Sequence, residues 1–184
     1  QSRSSAASDV YKRQMSYGLA YGLSAFGLSQ QLDITPGEAS VLMEKYYLRF
    51  GGIRDYLATV VAQAKKVGYT ETLLGRRRYL PDLKNDNKFK REIAERAALN
   101  APIQGTAADI IKLAMLRVDA AMKSAKLKSR LLLQIHDELL FEYVEEELGQ
   151  LIELVKREMG AAYPLKVSLS VNIGHGKSWH EAEH

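Results

Sequence analysis

Two apolar, β-rich runs, Leu131–Ile135 and Leu139–Val144, are separated only by His136-Asp137-Glu138. So short a link cannot hold a crossover, so the runs fold back on each other as a tight hairpin. Side chains on such a hairpin tip are held rigidly and presented to solvent. Two adjacent acids there can set one carboxylate on each side of the turn. Hard cations such as Mg²⁺ take carboxylate oxygens while keeping water and phosphate as further ligands. The plainer alternative is that a turn simply favours Asp.

The surroundings are mostly helical in pattern. Met15–Leu32 is apolar with glycines at 18, 22 and 27, and reads as a helix to about Leu28. On such a helix Arg13, Tyr17 and Tyr21 are spaced i, i+4, i+8 and share a face. Thr35-Pro36-Gly37-Glu38 is a capping box with proline at its first helical position. An apolar stripe follows through positions 39, 42, 43, 46, 47 and 50, and Gly51 and Gly52 are expected to stop that helix. A second stripe, from Ile53 to Ala64, ends at Gly68.

Tyr69–Leu80 reads as a short hairpin turning near Gly75, and Asp82–Lys88 as a polar loop. A helix from about Lys90 to Asn100 is expected to be interrupted by Pro102 and Gly105, with Thr106 capping the next one. Glu145–Met159 is an amphipathic helix with acids in its first turn, where they suit the helix dipole. Leu165, Val167, Leu169, Val171 and Ile173 alternate with polar residues, the pattern of a half-buried strand. The fold class expected is α+β. A helical part runs to about residue 80–90, followed by helix, hairpin, helix and strand, with the strands in an antiparallel sheet and helices packed on one face.

Composition narrows the class. Of the 184 residues, 46% are hydrophobic and 26% charged, ordinary for a soluble globular protein. No apolar run approaches the ~20 residues of a membrane helix, so no membrane association is expected. With no cysteine, disulfide scaffolds, thiolate zinc sites and cysteine nucleophiles are excluded. The net charge of +4 permits an anionic partner without requiring one. Residues 1–14, QSRSSAASDVYKRQ, lack both the apolar core of a secretory signal and the apolar face of a transit peptide. They read as foreign to the fold, a tag, a junction or an assembly error.

Three further groups of residues suggest chemistry. Arg96, Asn100 and Gln104 lie four apart on one helical face. All three can donate to the N3 and O2 acceptors of the DNA minor groove, which recur at every base pair. A solvated helix face is the alternative. Arg76-Arg77-Arg78 with Lys84, Lys88, Lys90 and Arg91 is the densest basic region, suited to phosphate or simply to water. Gly176-Lys177-Ser178 is not a phosphate-binding loop: position 171 is Val where the motif needs Gly, and no helix of useful length can follow. His175 and His180 are near the end, where histidines rarely hold a metal.

Taken together, MSYGLAYGLSAFGLSQQL, TLLGRRRYLPDL, ERAALNAPIQGTAADIIK and LLLQIHDELLFEY resemble, in this order, the C-terminal part of bacterial A-family DNA polymerases, over about residues 15–184. The resemblance implies a right-hand polymerase fold, with residues 15–85 as fingers and 86–184 as part of the palm. It implies that Arg96, Asn100 and Gln104 touch template and primer. His136 would approach the primer terminus, and Asp137, with Glu138 as helper, would hold catalytic Mg²⁺. Tyr21 and Gly22 match the Tyr-Gly that meets the nascent base pair, Lys90 and Arg91 match template contacts, and Arg76 and Arg77 join them as DNA-binding residues. Tyr17 occupies the position that governs dideoxynucleotide discrimination. A primer 3′-hydroxyl would attack the α-phosphorus of a dNTP and release pyrophosphate, two Mg²⁺ ions stabilising the attacking and leaving oxygens.

The implied enzyme is a DNA-directed DNA polymerase of replication and repair. It would be a monomer in the bacterial cytoplasm acting on primer-template DNA and dNTPs. A non-catalytic DNA-binding module is the alternative. Two departures stand out. The family carries Arg-x-x-x-Lys ahead of the Tyr-Gly, for triphosphate binding, whereas Asp9 and Arg13 stand here. Arg13 keeps the charge and Asp9 reverses it. The family's second catalytic Asp and its thumb have no counterpart in these residues, so the chain alone is expected to be inactive.

Overall fold

In a computed structural model, residues 16–19 and 21–182 are described. The fold is α+β. It divides into two compact units, Gln1–Gln104 and Gly105–His184.

In the first unit, residues 16–19 are helical and a turn at Tyr21-Gly22 follows. Helix α1 then spans Ala25–Leu32, started by the Ser24 hydroxyl, which accepts from the Gly27 N–H at 3.1 Å. The single helix expected from Met15 to about Leu28 is therefore broken. Gly22 sits at φ +71°, a conformation that ends a helix and that only glycine adopts freely. Helix α2, Pro36–Arg49, has the expected capping box. Thr35 and Glu38 exchange hydrogen bonds, and the Thr35 N–H and hydroxyl hold the Glu38 carboxyl below its ordinary pKa. Helix α3, Gly51–Val67, begins after a break at Phe50 alone. Gly51 and Gly52 thus open α3 instead of terminating α2, because Phe50 already leaves the helical region (φ −121°, ψ 52°). Gly68 caps α3 as expected.

Leu19, Leu28, Leu32, Ala39 and Tyr46 form one buried cluster, with the Tyr47 hydroxyl donating to the Leu19 carbonyl at 3.5 Å. Strands β1 (Tyr69–Glu71) and β2 (Arg77–Tyr79) form the expected hairpin, turning through Gly75. The polar loop after it contains a 3₁₀ turn at Pro81–Lys84, with Leu83 buried against Ala64, Leu80, Ala94 and Ala98. Asn87 then caps helix α4, its Oδ1 accepting from the Phe89 and Lys90 N–H groups.

Helix α4 spans Lys88–Ser124, 37 residues, with Pro102 inside it. The interruption expected at Pro102 and the cap expected at Thr106 do not occur. Proline removes one hydrogen bond and crowds the carbonyl four residues back, a local cost of ~3 kcal/mol. Propagation from established turns on both sides and burial of Ala98, Ala101 and Pro102 carry the helix through. The boundary between the two units lies within this helix.

In the second unit, β3 (Arg130–Ile135) and β4 (Glu138–Glu142) pair antiparallel, with an irregularity between Leu131 and Leu133. A 3₁₀ turn at Glu145–Glu147 leads into α5, Leu148–Gly160. Leu151, Leu154 and Val155 of α5 pack on Val118 and Met122 of α4, with Phe141 and Tyr143 beside them. The strand expected at Leu165–Ile173 is not formed. Val167 is 77% exposed, while Ile173 packs on the α4–α5 cluster. Alternation makes a strand only where a free edge pairs with it, and the described sheets are two separate hairpins, not one three-stranded sheet. A short helix α6, Trp179–Ala182, is capped by Ser178, which accounts for the Gly-Lys-Ser segment locally.

Candidate active site and nucleic-acid interface

The β3–β4 register pairs Ile135 with Glu138, so the loop is His136-Asp137 alone and Glu138 is the first residue of β4. A two-residue hairpin loop needs positive φ to follow the twist of its strands. His136 supplies it, at φ 52°. Such a conformation costs a non-glycine residue roughly 1–2 kcal/mol. The Gln134 side chain steadies the turn, its Nε2 donating to the His136 carbonyl at 2.8 Å. His136, Asp137 and Glu138 are all exposed, and neither acid has an ion pair among the described residues.

The other end of the hairpin is anchored. Ser129 is buried, and its N–H and hydroxyl donate to Glu147 at 2.8 and 2.7 Å. The Lys128 N–H joins them at 2.9 Å, and these bonds hold the Glu147 carboxyl below its ordinary pKa, the Lys128 bond contributing most. The Val144 N–H donates to the Ser129 hydroxyl at 3.0 Å, closing the base of the hairpin. Arg130 and Glu142, directly opposed, form an ion pair there.

Asp137 and Glu138 offer hard oxygen donors beside solvent, which fits a cation that keeps water and phosphate as other ligands. No cluster of three or more ligating side chains occurs among the described residues. The pair therefore suits a metal shared with a substrate, not one enclosed by protein.

In the first unit, the continuous helix α4 puts Arg96, Asn100 and Gln104 on one face, over ~12 Å of axis. Arg96 and Gln104 are exposed. Asn100 is half-buried, and its Oδ1 is itself buried without a hydrogen-bond partner, an unusual state for a buried polar atom. Beside it, the Gly22 turn packs on α4 so closely that a Cβ there would lie 2.5 Å from Leu99 Cδ1. The fold thus brings Tyr21-Gly22 to the Asn100 level of α4, a contact across more than seventy residues that no local pattern in the sequence signals. Tyr17 is exposed, one turn earlier; the Tyr21 N–H donates to its carbonyl at 3.1 Å. Tyr21 itself stands in the turn that follows residues 16–19, one i→i−4 bond after Tyr17. Arg13 and Asp9 lie outside the described residues.

The basic residues are not equivalent. Arg77 Nε is 2.6 Å from Glu71 Oε1, and its guanidinium lies 4.5 Å from the centre of the Tyr69 ring. Arg91 donates to the Asn85 carbonyl at 2.9 Å, and Lys88 stands 3.8 Å from Glu92. Lys90 is exposed, as is Arg76. Gln134 was not among the residues expected to matter, and only its place two residues before His136 on the strand hints at it.

The model of DNA polymerase family A matches residues 7–181. That match reaches back into the segment set aside at the N-terminus, as far as residue 7. DNA polymerase I of Mycobacterium leprae (strain TN) is 62% identical over 172 residues, which is 94% of this chain and 19% of that protein. DNA polymerase I of Bacillus subtilis (strain 168) is 46% identical over 171 residues, 93% of this chain and 19% of that protein. The chain therefore spans about a fifth of the length of these relatives. A solved structure, the POL domain of Pol1 from M. smegmatis in complex with DNA primer-template and dNTP, is similar at a TM-score of 0.91 and 64% identity, over 95% of this chain and 31% of that one. No helix among the described residues is long and apolar enough to cross a membrane. The chain belongs to DNA polymerase family A.

Proposed function

We propose that this chain supplies the fingers, residues 15–85, and much of the palm, 86–184, of a bacterial template-directed DNA polymerase. The reaction is nucleotidyl transfer from a dNTP to a primer 3′-hydroxyl, in replication and repair. The enzyme would act as a monomer in the cytoplasm. The observation that carries this reading is the β3–β4 tip, an acid pair on a steadied two-residue turn, with His136 beside it at positive φ. Backbone strain of this kind gathers where a side chain must be aimed.

Asp137, with Glu138 beside it, would hold the Mg²⁺ of a two-metal site. When bound, the metal neutralises charge on the attacking and leaving oxygens. The chain's own residues bind and orient. Arg96, Asn100 and Gln104 donate to minor-groove acceptors, which are sequence-tolerant. Gly22, lacking a Cβ, leaves room for the nascent base pair beside Tyr21. Lys90, Arg91, Arg76 and Arg77 offset phosphate charge along the template, and His136 faces the primer terminus. Tyr17 would meet the sugar of the incoming nucleotide, and Arg13, outside the described residues, is assigned to its triphosphate. Primer extension by the complete gene product tests the assignment. Extension that survives Asp137→Ala would refute it.

A narrower role is expected of these 184 residues by themselves, because the resemblance calls for a second catalytic Asp beside Asp137 and assigns none in them. At an effective dielectric near 20, each unit-charge pair 4 Å apart is worth ~4 kcal/mol, so a missing bridging carboxylate is not made up by water. The chain alone is therefore expected to bind DNA without extending a primer. The check is extension by purified chain with Mg²⁺ and dNTPs, using Asp137→Ala as the contamination control. Synthesis well above that control would mean that the catalytic carboxylates are complete within it.

A further inference from the structure

We infer that the outer face of the β1–β2 hairpin is a stacking platform for single-stranded nucleic acid, the unpaired stretch of the template strand. The inference rests on the reading that this chain binds primer-template DNA, and it gives the basic hairpin a role beyond phosphate attraction. Tyr69 and Tyr79 are directly opposed across the hairpin, as are Glu71 and Arg77. Alternation puts these four side chains on one face, while Thr70 on the other face is buried. The Tyr69 and Tyr79 rings meet edge-on, centroids 5.5 Å apart at 60°, and Tyr79 remains 68% exposed. Arg77 lies over the Tyr69 ring and is fixed there by Glu71. Its guanidinium therefore adds to the aromatic surface, held in place while it still carries positive charge.

The hairpin is also stiff. Thr72 Oγ1 accepts from the Leu74 and Arg76 N–H groups, the Thr72 N–H donates to the Arg76 carbonyl, and Gly75 takes φ +83° to close the tip. The ladder continues through the Leu80 N–H to the Gly68 carbonyl at 2.9 Å. A stiff surface that presents the exposed Tyr79 ring beside the half-buried, Arg77-covered Tyr69, with Arg76 exposed at the tip, matches a ligand that has both a flat face and negative charge. Duplex DNA hides its base faces in the stack, and an acidic peptide would use the arginines and leave the rings bare. Unpaired nucleotides use both, stacking on aromatic and guanidinium planes while the backbone meets the arginines.

The test uses the full chain and two labelled DNAs of equal paired length, one blunt and one with a 5′ single-stranded extension, titrated by fluorescence anisotropy. The wild-type chain is expected to bind the extended DNA more tightly than the blunt one. Tyr79→Ala should weaken the extended DNA ~10-fold, the size of one lost stack, and shift the blunt one less than twofold. Tyr79→Phe, which keeps the ring, should restore the difference. Equal losses on both DNAs, or none on either, would overturn the platform. So would a chain dimer that Tyr79→Ala dissolves while DNA binding is unchanged. If blunt-duplex binding depends on Arg96 and the extension adds nothing, only this inference fails. If neither DNA binds, the polymerase reading fails with it.

Discussion

The two hairpins of this chain are built alike and end differently. Each carries an Arg–Glu pair on directly opposed residues, Glu71–Arg77 in β1–β2 and Arg130–Glu142 in β3–β4. In the first hairpin the pair closes the rung next to the tip. The tip is then a folded loop, with Thr72 and Gly75 satisfying its own backbone. In the second the pair sits at the base, with the Ser129–Glu147 contacts, and the tip holds carboxylates with no ion pair among the described residues. Glycine at the turning position of one hairpin presents backbone; histidine at positive φ in the other presents a side chain and accepts strain to do so. The place of the ion pair along the ladder thus separates a tip closed by its own loop from a tip whose acids have no ion pair among the described residues.

That contrast is easiest to break at the acid tip. In the complete polymerase, Asp137→Ala should lower the extension rate at least ~10²–10³-fold, the scale of one lost preorganised group, and Glu138→Ala should lower it less. Steady-state primer extension at saturating dNTP measures both. Equal effects would mean that the turn acid and the first strand acid are interchangeable.

Next in size is Gly22→Ala, in which φ +71° and the Leu99 contact at 2.5 Å act together. A loss of ~1–2 kcal/mol from the backbone is expected in denaturant unfolding, with a fall in nucleotide incorporation as well. Gly75→Ala, at φ +83° with nothing within 4 Å, should lose the backbone contribution only. If the two variants match in stability and incorporation, the packing of the Tyr-Gly turn on α4 is unimportant.

The strain at His136 gives a smaller effect. His136→Gly should be ~1 kcal/mol more stable than His136→Ala, since only glycine takes φ 52° without penalty. Both should extend primers more slowly than wild type, because both lose the imidazole. Chemical denaturation and extension assays on the pair separate the backbone from the side chain.

The smallest effect is at the anchored base. Glu147 has its pKa lowered by the Lys128 and Ser129 donors, so its unfolded pKa, near the ordinary 4.5, is the higher of the two. Its contribution to stability is therefore fully present above about that pH and lost as pH falls through the folded value. Glu147→Gln should flatten the acid limb of a thermal-unfolding profile below pH 4.5 and leave its shape at neutral pH unchanged. An unaltered acid limb would remove Glu147 from the account of the hairpin base.

How legible these features are in the sequence follows from how local their causes are. The Thr35–Glu38 capping box, the Gly68 cap and the β3–β4 hairpin depend on residues within a turn of one another, and all three are where the pattern puts them. The break before α1 falls at Gly22, φ +71°, and the close packing of that turn on Leu99, far along the chain, has no sign in an apolar run that reads as one helix. Pro102 signals a break that burial of its neighbours overrides. The alternation at Leu165–Ile173 signals a strand, but no paired edge exists for it among the described residues. At the site, residue types and spacing pointed to Asp137, Glu138 and the α4 face. The Gln134 bond to the His136 carbonyl, the Arg77–Tyr69 stack and the unmet Asn100 Oδ1 are three-dimensional facts.

The central claim is that the β3–β4 tip does chemistry while the α4 face holds DNA. It is tested most directly by measuring primer-template affinity and single-turnover extension rate on the same preparations of the complete polymerase, for Asp137→Ala and Arg96→Ala. The account predicts that Asp137→Ala loses ~10²-fold or more in rate and keeps its affinity within about twofold. Arg96→Ala should weaken affinity across sequences. An Asp137→Ala enzyme that extends primers at the wild-type rate, or that loses DNA affinity as severely as Arg96→Ala, would contradict it.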